Sequence, residues 1–221
     1  MPTTISINRS ESSVLVTNKL IRNTYTLLAM TLLFSVVTCA LASALGIGRG
    51  AGLISTLGAF GLLWFVLPKT ANSASGIGVV FAISGLLGFG LGPVISAYLA
   101  LSNGPQLVMT ALGGTGTIFL GLSAYALVTR RDFSFMGGFL FVGLLVVLGA
   151  ALLNIFLAIP AVGLAMSAVV VLLMSGFILY DTSRMVHGGE TNYLLATVSL
   201  YLNILNLFTS LLHLLGLSRD D

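Results

Sequence analysis

The sequence has few charged residues. Nine Lys and Arg and six Asp and Glu make up 7% of the 221 residues, whereas a soluble domain carries about 25%. That number of charges does not cover the surface of a soluble 23.0 kDa protein, and 57% of the chain is hydrophobic. The net charge of +3 reflects scarce acids rather than a basic patch, so nucleic-acid binding is excluded. The composition predicts an integral protein of the lipid bilayer.

Side chains that serve catalysis or metal binding are scarce as well. The single cysteine, Cys39, excludes an intrachain disulfide and a thiolate metal cluster, and the chain has only two histidines. The H-E-x-x-H motif of zinc proteases is absent. One acid in the apolar segments does not supply the carboxylate pair of an aspartyl protease. We therefore predict no enzyme, no catalytic residue, no metal site and no cofactor.

Long apolar runs dominate the chain instead. A membrane-spanning helix needs about 20 mostly apolar residues, and polar clusters, charges and prolines divide the chain into seven such runs. They cover residues 25–47, 51–68, 77–101, 106–128, 134–158, 161–181 and 193–217. The predicted fold class is all-α, a polytopic bundle of seven transmembrane helices. Residues 1–23 are assigned to a cytoplasmic N-terminal tail, 24–217 to the transmembrane domain and 218–221 to a short C-terminal tail.

The distribution of positive charge predicts the orientation of this bundle. Seven of the nine Lys and Arg residues lie on the side of the N-terminus and two on the other side. Because short cytoplasmic loops retain the positive charges, we expect a cytoplasmic N-terminus. The C-terminus is then outside if the last segment spans the membrane, and inside if that segment re-enters.

Small residues recur every four positions in two of the spans. They are Ser84, Gly88 and Gly92 in the third span, and Gly113, Thr117 and Gly121 in the fourth. Lipid supplies no hydrophobic drive between helices, so close approach through small side chains helps to hold them together. Both stripes are therefore interpreted as helix-packing surfaces.

Asp181 is the one acid at the end of the otherwise apolar sixth span. An ionisable residue near membrane depth is a candidate for function. Alternatively, Asp181 marks the cytoplasmic boundary and pairs with Arg184, three residues further on. Both interpretations remain open from the sequence.

The seventh span carries a polar stripe. Its members, at spacings of four and three that place them on one helical face, are Ser199, Asn203, Asn206, Ser210 and His213. Such a face must point into the bundle or into a wet cavity, so we expect the last helix to be central. The stripe either forms hydrogen bonds between helices or lines a polar pathway with an ion-sensing site.

A loop motif between the sixth and seventh spans is the most specific signal. Its residues are His187, Gly188, Gly189, Glu190, Thr191, Asn192 and Tyr193, flanked by 176–182 and 196–203. Together with residues 20–25, 69–72, 91–93, 111–115 and 129–138, these segments resemble the Bax inhibitor/YccA family of membrane proteins. The resemblance covers nearly the whole chain.

The resemblance implies a seven-helix inner-membrane protein whose last helix is surrounded by the other six. For the bacterial branch it implies modulation of FtsH, a membrane-bound ATP-dependent protease, by occupying that enzyme. The alternative function it implies is a pH-sensitive Ca²⁺ leak channel gated by an aspartate pair, and the polar stripe with Asp181 at its cytoplasmic end leaves a leak of other cations or protons open as well. Asp181 matches the first aspartate, with Arg184 nearby, but the second position is Asn203, which carries no charge. We therefore favour protease modulation over ion conduction.

Overall fold

The computed structural model describes the backbone of residues 4–217 and the side chains of residues 15–216. Its helices are α1 (Thr4–Ala44), α2 (Arg49–Gly61), a π-helical turn (Leu62–Val66), α3 (Leu67–Thr70), α4 (Ser75–Leu99), α5 (Gly104–Thr129), a 3₁₀ turn (Ser134–Met136), α6 (Gly137–Leu157), α7 (Pro160–Val186) and α8 (Tyr193–Leu217). Within that part of the chain, seven helical segments are long and apolar enough to cross a membrane. The second of these segments, Arg49–Thr70, combines α2, the π-helical turn and α3. The predicted all-α membrane bundle is confirmed.

The helices extend further than predicted at two places. Helix α1 begins at Thr4, so most of the segment assigned to the N-terminal tail is helical, although the membrane-compatible part begins only at Leu15. Helix α7 continues past Asp181 to Val186 because Thr182 and other polar residues of its last turns are buried against protein. The C-terminal segment 218–221 lies outside the described residues, and the assignment of both tails stays a prediction.

Helix α8 is the centre of the bundle. In its apolar window 56% of the residues are buried, against 11–39% in the other six spans. Among the described helices, α8 packs against α1, α4, α5 and α7, while α2 lies against α4 and α6 lies against α7. The last helix is therefore central, but four helices rather than six touch it. Helices α2 and α6 form an outer layer because each buries its inner face on a helix other than α8.

The small-residue stripe of α4 packs as predicted. A Cβ added at Gly88 would collide with the carbonyl oxygen of Ser35 on α1, and one added at Gly92 would lie 2.5 Å from the Cβ of Ala42. The hydroxyl of Ser43 donates a hydrogen bond to the Gly92 carbonyl oxygen at 3.1 Å. The α1–α4 contact is thus a close backbone approach that requires glycine.

The prediction for the stripe of α5 is wrong. Among the described residues nothing lies within 4 Å of a Cβ added at Gly113 or Gly121, and Thr117 is exposed. Helix α5 instead packs through a face that includes Ala111, Thr115, Phe119, Ser123 and Ala126. That face also has small residues, and it adds the larger contact area of an aromatic ring. Small residues allow two helices to approach closely, but they do not determine which face of a helix packs against its neighbour.

Candidate functional site

The candidate site lies where α7 faces α8. The Oδ2 atom of Asp181, on α7, accepts hydrogen bonds from the Ser199 hydroxyl at 2.5 Å and from the Asn203 amide nitrogen at 2.8 Å. Both donors come from one face of α8, because residues four apart in a helix stand one above the other. Asn203 is buried and Asp181 is partly buried. The structure therefore joins three of the sequence-predicted residues in one interhelical cluster.

Arg184 does not pair with Asp181. Its Nη2 atom donates a hydrogen bond to the Gly189 carbonyl oxygen at 2.6 Å and lies 3.9 Å from Oε2 of Glu190. Its guanidinium group also lies 5.6 Å from the centre of the Tyr180 ring. The arginine turns toward the loop after α7 because that loop supplies both a carbonyl oxygen and a carboxylate. The predicted pair between Asp181 and Arg184 is therefore wrong, while the position of Asp181 at the cytoplasmic boundary stays a prediction.

The polar stripe of α8 is not continuous. Ser210 is buried, and Nδ1 of His213 lies 2.8 Å from the Ser167 hydroxyl on α7. Asn206, by contrast, is exposed, and its amide donates to the Leu202 carbonyl oxygen of its own helix. A side chain that bonds its own backbone does not link two helices. The stripe thus makes interhelical hydrogen bonds to α7 through Ser199, Asn203 and His213.

A second polar network lies on other faces of α8 and was not predicted. The Tyr201 side chain is 2% exposed; its hydroxyl donates to the Ser84 carbonyl oxygen at 3.2 Å and lies 2.8 Å from the Ser35 hydroxyl. The single hydroxyl hydrogen of Thr197 is shared between the Tyr193 carbonyl oxygen of its own helix at 2.7 Å and the Thr24 carbonyl oxygen of α1 at 3.3 Å. These bonds attach α8 to α1 and α4. A lone Tyr or Ser in an apolar span gives no sequence signal for them.

The first half of the loop motif ends α7. His187 follows the helix, and Gly188 takes a φ of +76°, the left-handed backbone that favours glycine. The amides of Gly189 and Glu190 then donate to the Arg184 carbonyl oxygen at 2.8 Å and 3.2 Å. These bonds satisfy a carbonyl group that the end of the helix leaves free.

The second half of the motif starts α8 and attaches a neighbouring loop. Oδ1 of Asn192 accepts hydrogen bonds from the amides of Leu194 and Leu195, which is the role of a helix N-cap. Its Nδ2 donates to the carbonyl oxygen of Ala71 and to Oδ1 of Asn72, both at 2.9 Å. Oε1 of Glu190 accepts from the amides of Thr191 and Asn192, and the Tyr193 carbonyl oxygen accepts from Thr197. The motif thus holds both the N-terminus of α8 and the loop before α4 in place.

The chemistry open to this cluster is proton and hydrogen-bond chemistry. Across residues 15–216 the structure brings no three His, Cys, Asp or Glu side chains together in a way that could hold a metal ion. A Ca²⁺ ion takes 6–8 oxygen ligands, usually with several carboxylates. The Asp181 cluster offers one carboxylate, and Asn203 turns its amide nitrogen, not its oxygen, toward it. The arrangement is suited to holding one carboxyl group between two donors.

Comparison with known proteins identifies the family. The family model described as "Inhibitor of apoptosis-promoting Bax1" matches residues 17–220. The chain belongs to the Bax inhibitor family. The match covers the loop motif, six of the seven membrane-compatible segments and all but the first two residues of the other one, so the resemblance inferred from the motif is confirmed.

Several bacterial proteins are similar to this chain along most of its length. A membrane protein of Vibrio cholerae is 52% identical over 205 residues, which are 93% of this chain and 92% of the relative. The Escherichia coli protein named "Modulator of FtsH protease YccA" is 46% identical over 217 residues, 98% of both chains. A Pseudomonas aeruginosa protein is 44% identical over 91% of this chain and 90% of its own length.

Proposed function

We propose that this chain is an inner-membrane protein that modulates a membrane-bound ATP-dependent protease of the FtsH type by occupying it. The observation that carries the proposal is the 46% identity, over 98% of both chains, with the relative named as a modulator of FtsH protease. A second Escherichia coli relative of equal identity is named an inner membrane protein. The aligned region includes the loops as well as the apolar helices, because it covers 98% of the chain.

The packing of α1 gives a physical reason why this protein would occupy the protease for a long time. A motor that pulls the chain from its N-terminus would act on α1 first. Helix α1 is held by the close backbone approach to α4 at Gly88 and Gly92, and by buried hydrogen bonds to α8 at Ser35 and Thr24. Extraction of α1 would break these contacts together. The protein would therefore be a slow substrate that keeps the protease engaged.

Co-expression with the Escherichia coli protease tests this proposal. Full-length tagged protein should co-purify with FtsH in mild detergent and slow the degradation of a membrane reporter substrate. Deletion of residues 1–14 should change the turnover of the chain itself, because it removes the segment that precedes the membrane-compatible helix. Gly121→Leu, at a position with open space around it, is the matched control and should behave as wild type. Absence of both co-purification and reporter protection would contradict the proposal.

We also propose that the N-terminus is cytoplasmic. The side chains of Asn192 and His187 contact residues 71–72 and 130, so the three loops concerned lie at one end of the bundle. The orientation can be measured in a Cys39→Ser background by labelling Ser73→Cys and Ser102→Cys with a membrane-impermeant maleimide. Labelling of Ser102→Cys alone from the outside supports the orientation, and labelling of Ser73→Cys alone contradicts it.

A leak pathway for protons or Ca²⁺ is the second candidate function. It is favoured by one observation, the partly buried carboxyl group of Asp181 between α7 and the central helix. Ion flux in reconstituted vesicles should fall in Asp181→Asn and rise in Asn203→Asp, which restores a carboxyl pair. Equal flux in wild type, both variants and protein-free vesicles would contradict this function.

A further inference from the structure

His187 lies between the end of α7 and the linker 130–133 that joins α5 to the following turn. Its Nδ1 atom lies 2.9 Å from the Ser183 carbonyl oxygen, and its Nε2 atom lies 3.0 Å from the Arg130 carbonyl oxygen. A carbonyl oxygen can only accept a hydrogen bond, and a neutral imidazole ring carries one N–H. Both contacts are hydrogen bonds at the same time only when the ring carries two protons.

Ser183 offers an alternative partner to the same ring. It is fully buried, and its Oγ accepts a hydrogen bond from the Phe133 amide at 2.9 Å. Its single hydroxyl hydrogen has two acceptors in reach, the Arg131 carbonyl oxygen at 3.2 Å and Nδ1 of His187 at 3.3 Å. A ring with a proton on Nδ1 cannot accept, so the hydroxyl then donates to Arg131. When Nδ1 carries no proton, it can accept the hydrogen bond from the Ser183 hydroxyl in place of the Arg131 carbonyl oxygen of the linker.

We infer that His187 and Ser183 form a proton-operated latch that ties the linker 130–133 to the end of α7. In the protonated state the latch holds the linker at three points, the carbonyl oxygens of Arg130 and Arg131 and the amide of Phe133. In the neutral state the unprotonated Nδ1 of His187 competes with the Arg131 carbonyl oxygen for the hydroxyl hydrogen of Ser183. Histidine changes its charge within the physiological pH range. The linker is therefore held more tightly as the pH falls.

Charged groups of both signs lie around the His187 ring. The linker contributes Arg130, Arg131 and Asp132, and α7 with its following loop contributes Arg184 and Glu190, which face each other. Hydrogen bonds from the side chain and backbone of Ser134 hold the pKa of the Asp132 carboxyl below its ordinary value. Asp132 therefore carries its negative charge throughout the pH range of the test below.

Hydrogen exchange on the full-length protein in lipid nanodiscs tests the latch. After correction for the intrinsic pH dependence of exchange, the amides of 131–136 should be protected about tenfold more at about pH 5.5 than at about pH 8. His187→Gln keeps one donor and one acceptor but does not titrate, so its protection should be the same at both pH values. His213→Gln, which changes the other histidine, is the matched control and should keep the response of wild type.

Two further measurements separate the latch from a loss of structure. Ser183→Ala should leave 131–136 weakly protected at both pH values, while the amides of 71–76 stay unchanged because Asn192 attaches that loop. Nitrogen NMR of the His187 ring should show two protonated nitrogens at about pH 5.5 and a bare Nδ1 at about pH 8. A pH response that persists in His187→Gln, or a wild-type protein without one, would overturn the inference.

Discussion

Gly92→Ala tests the close approach of α1 and α4. An ideal Cβ at position 92 would lie 2.5 Å from the Cβ of Ala42 and 3.2 Å from the backbone nitrogen of Ser43. Carbon atoms that are not bonded prefer a separation of about 3.5–4.0 Å, so the helices must move apart by about 1 Å. Ala42 is fully buried and has no flexible end that could yield. The displacement would also stretch the bond from Ser43 to the Gly92 carbonyl oxygen.

The expected magnitude follows from two opposing contributions. Overpacking a close contact lowers the free energy of unfolding by about 1–3 kcal/mol. Replacing a helical glycine with alanine raises it by about 1 kcal/mol. Gly121→Ala gains the second contribution alone, because nothing among the described residues lies within 4 Å of its Cβ. Gly92→Ala should therefore be less stable than Gly121→Ala by about 1–3 kcal/mol.

Reversible unfolding in mixed detergent micelles, followed by circular dichroism, measures both free energies. Ser43→Ala reports separately how much the hydrogen bond to Gly92 contributes, and it should cost about 1 kcal/mol. Equal stability of the two glycine variants would refute the reasoning. It would mean that α1 and α4 can separate by about 1 Å without a cost in packing.

Three further predictions, which use four substitutions, have defined outcomes. Asp181→Leu should lower the free energy of unfolding by about 1–3 kcal/mol, since it leaves two donors of α8 unpaired, and Asp181→Asn, which keeps an acceptor, should cost less in the same assay. Asn192→Ala should cost about 1 kcal/mol through loss of the N-cap of α8, seen as a lower melting temperature. The hydrogen bond to the Asp132 carboxylate is present above the ordinary pKa of that group and is lost as the pH falls through its lowered value. The Ser134 amide shift should therefore titrate in acid in wild type but not in Asp132→Asn.

Much of the architecture could be predicted because the bilayer sets the length of a helix that crosses it. The apolar runs therefore identified all seven spans. The end of a helix could not be predicted from hydropathy where its polar residues are covered by protein rather than by water. Thr182 and Ser183 are both fully buried, so α7 continues beyond the point where hydropathy suggested that it ends.

The candidate site could be predicted in part. Spacing placed Ser199 and Asn203 on one face of α8, but only the rotation of α7 against α8 decides that Asp181 faces them. The same rotation leaves Asn206 outside the contact. The bond between Tyr201 and Ser35 joins residues far apart in the chain, and neither residue belongs to a periodic pattern. Contacts of this kind depend on how whole helices pack, which the local sequence does not encode.

The position of α8 at the centre has a consequence for biosynthesis. The ribosome makes this helix after the other six spans, so α1, α4, α5 and α7 enter the bilayer before the helix against which they all pack. Until α8 inserts, Ser35 and Asp181 lack the hydrogen-bond partners that they have in the finished protein. Unpaired polar groups at membrane depth are costly and attract other polar surfaces. A nascent chain that stops before Tyr193 is therefore an incomplete bundle with unpaired polar groups. Insertion of α8 is the step that pairs these groups and completes the packing.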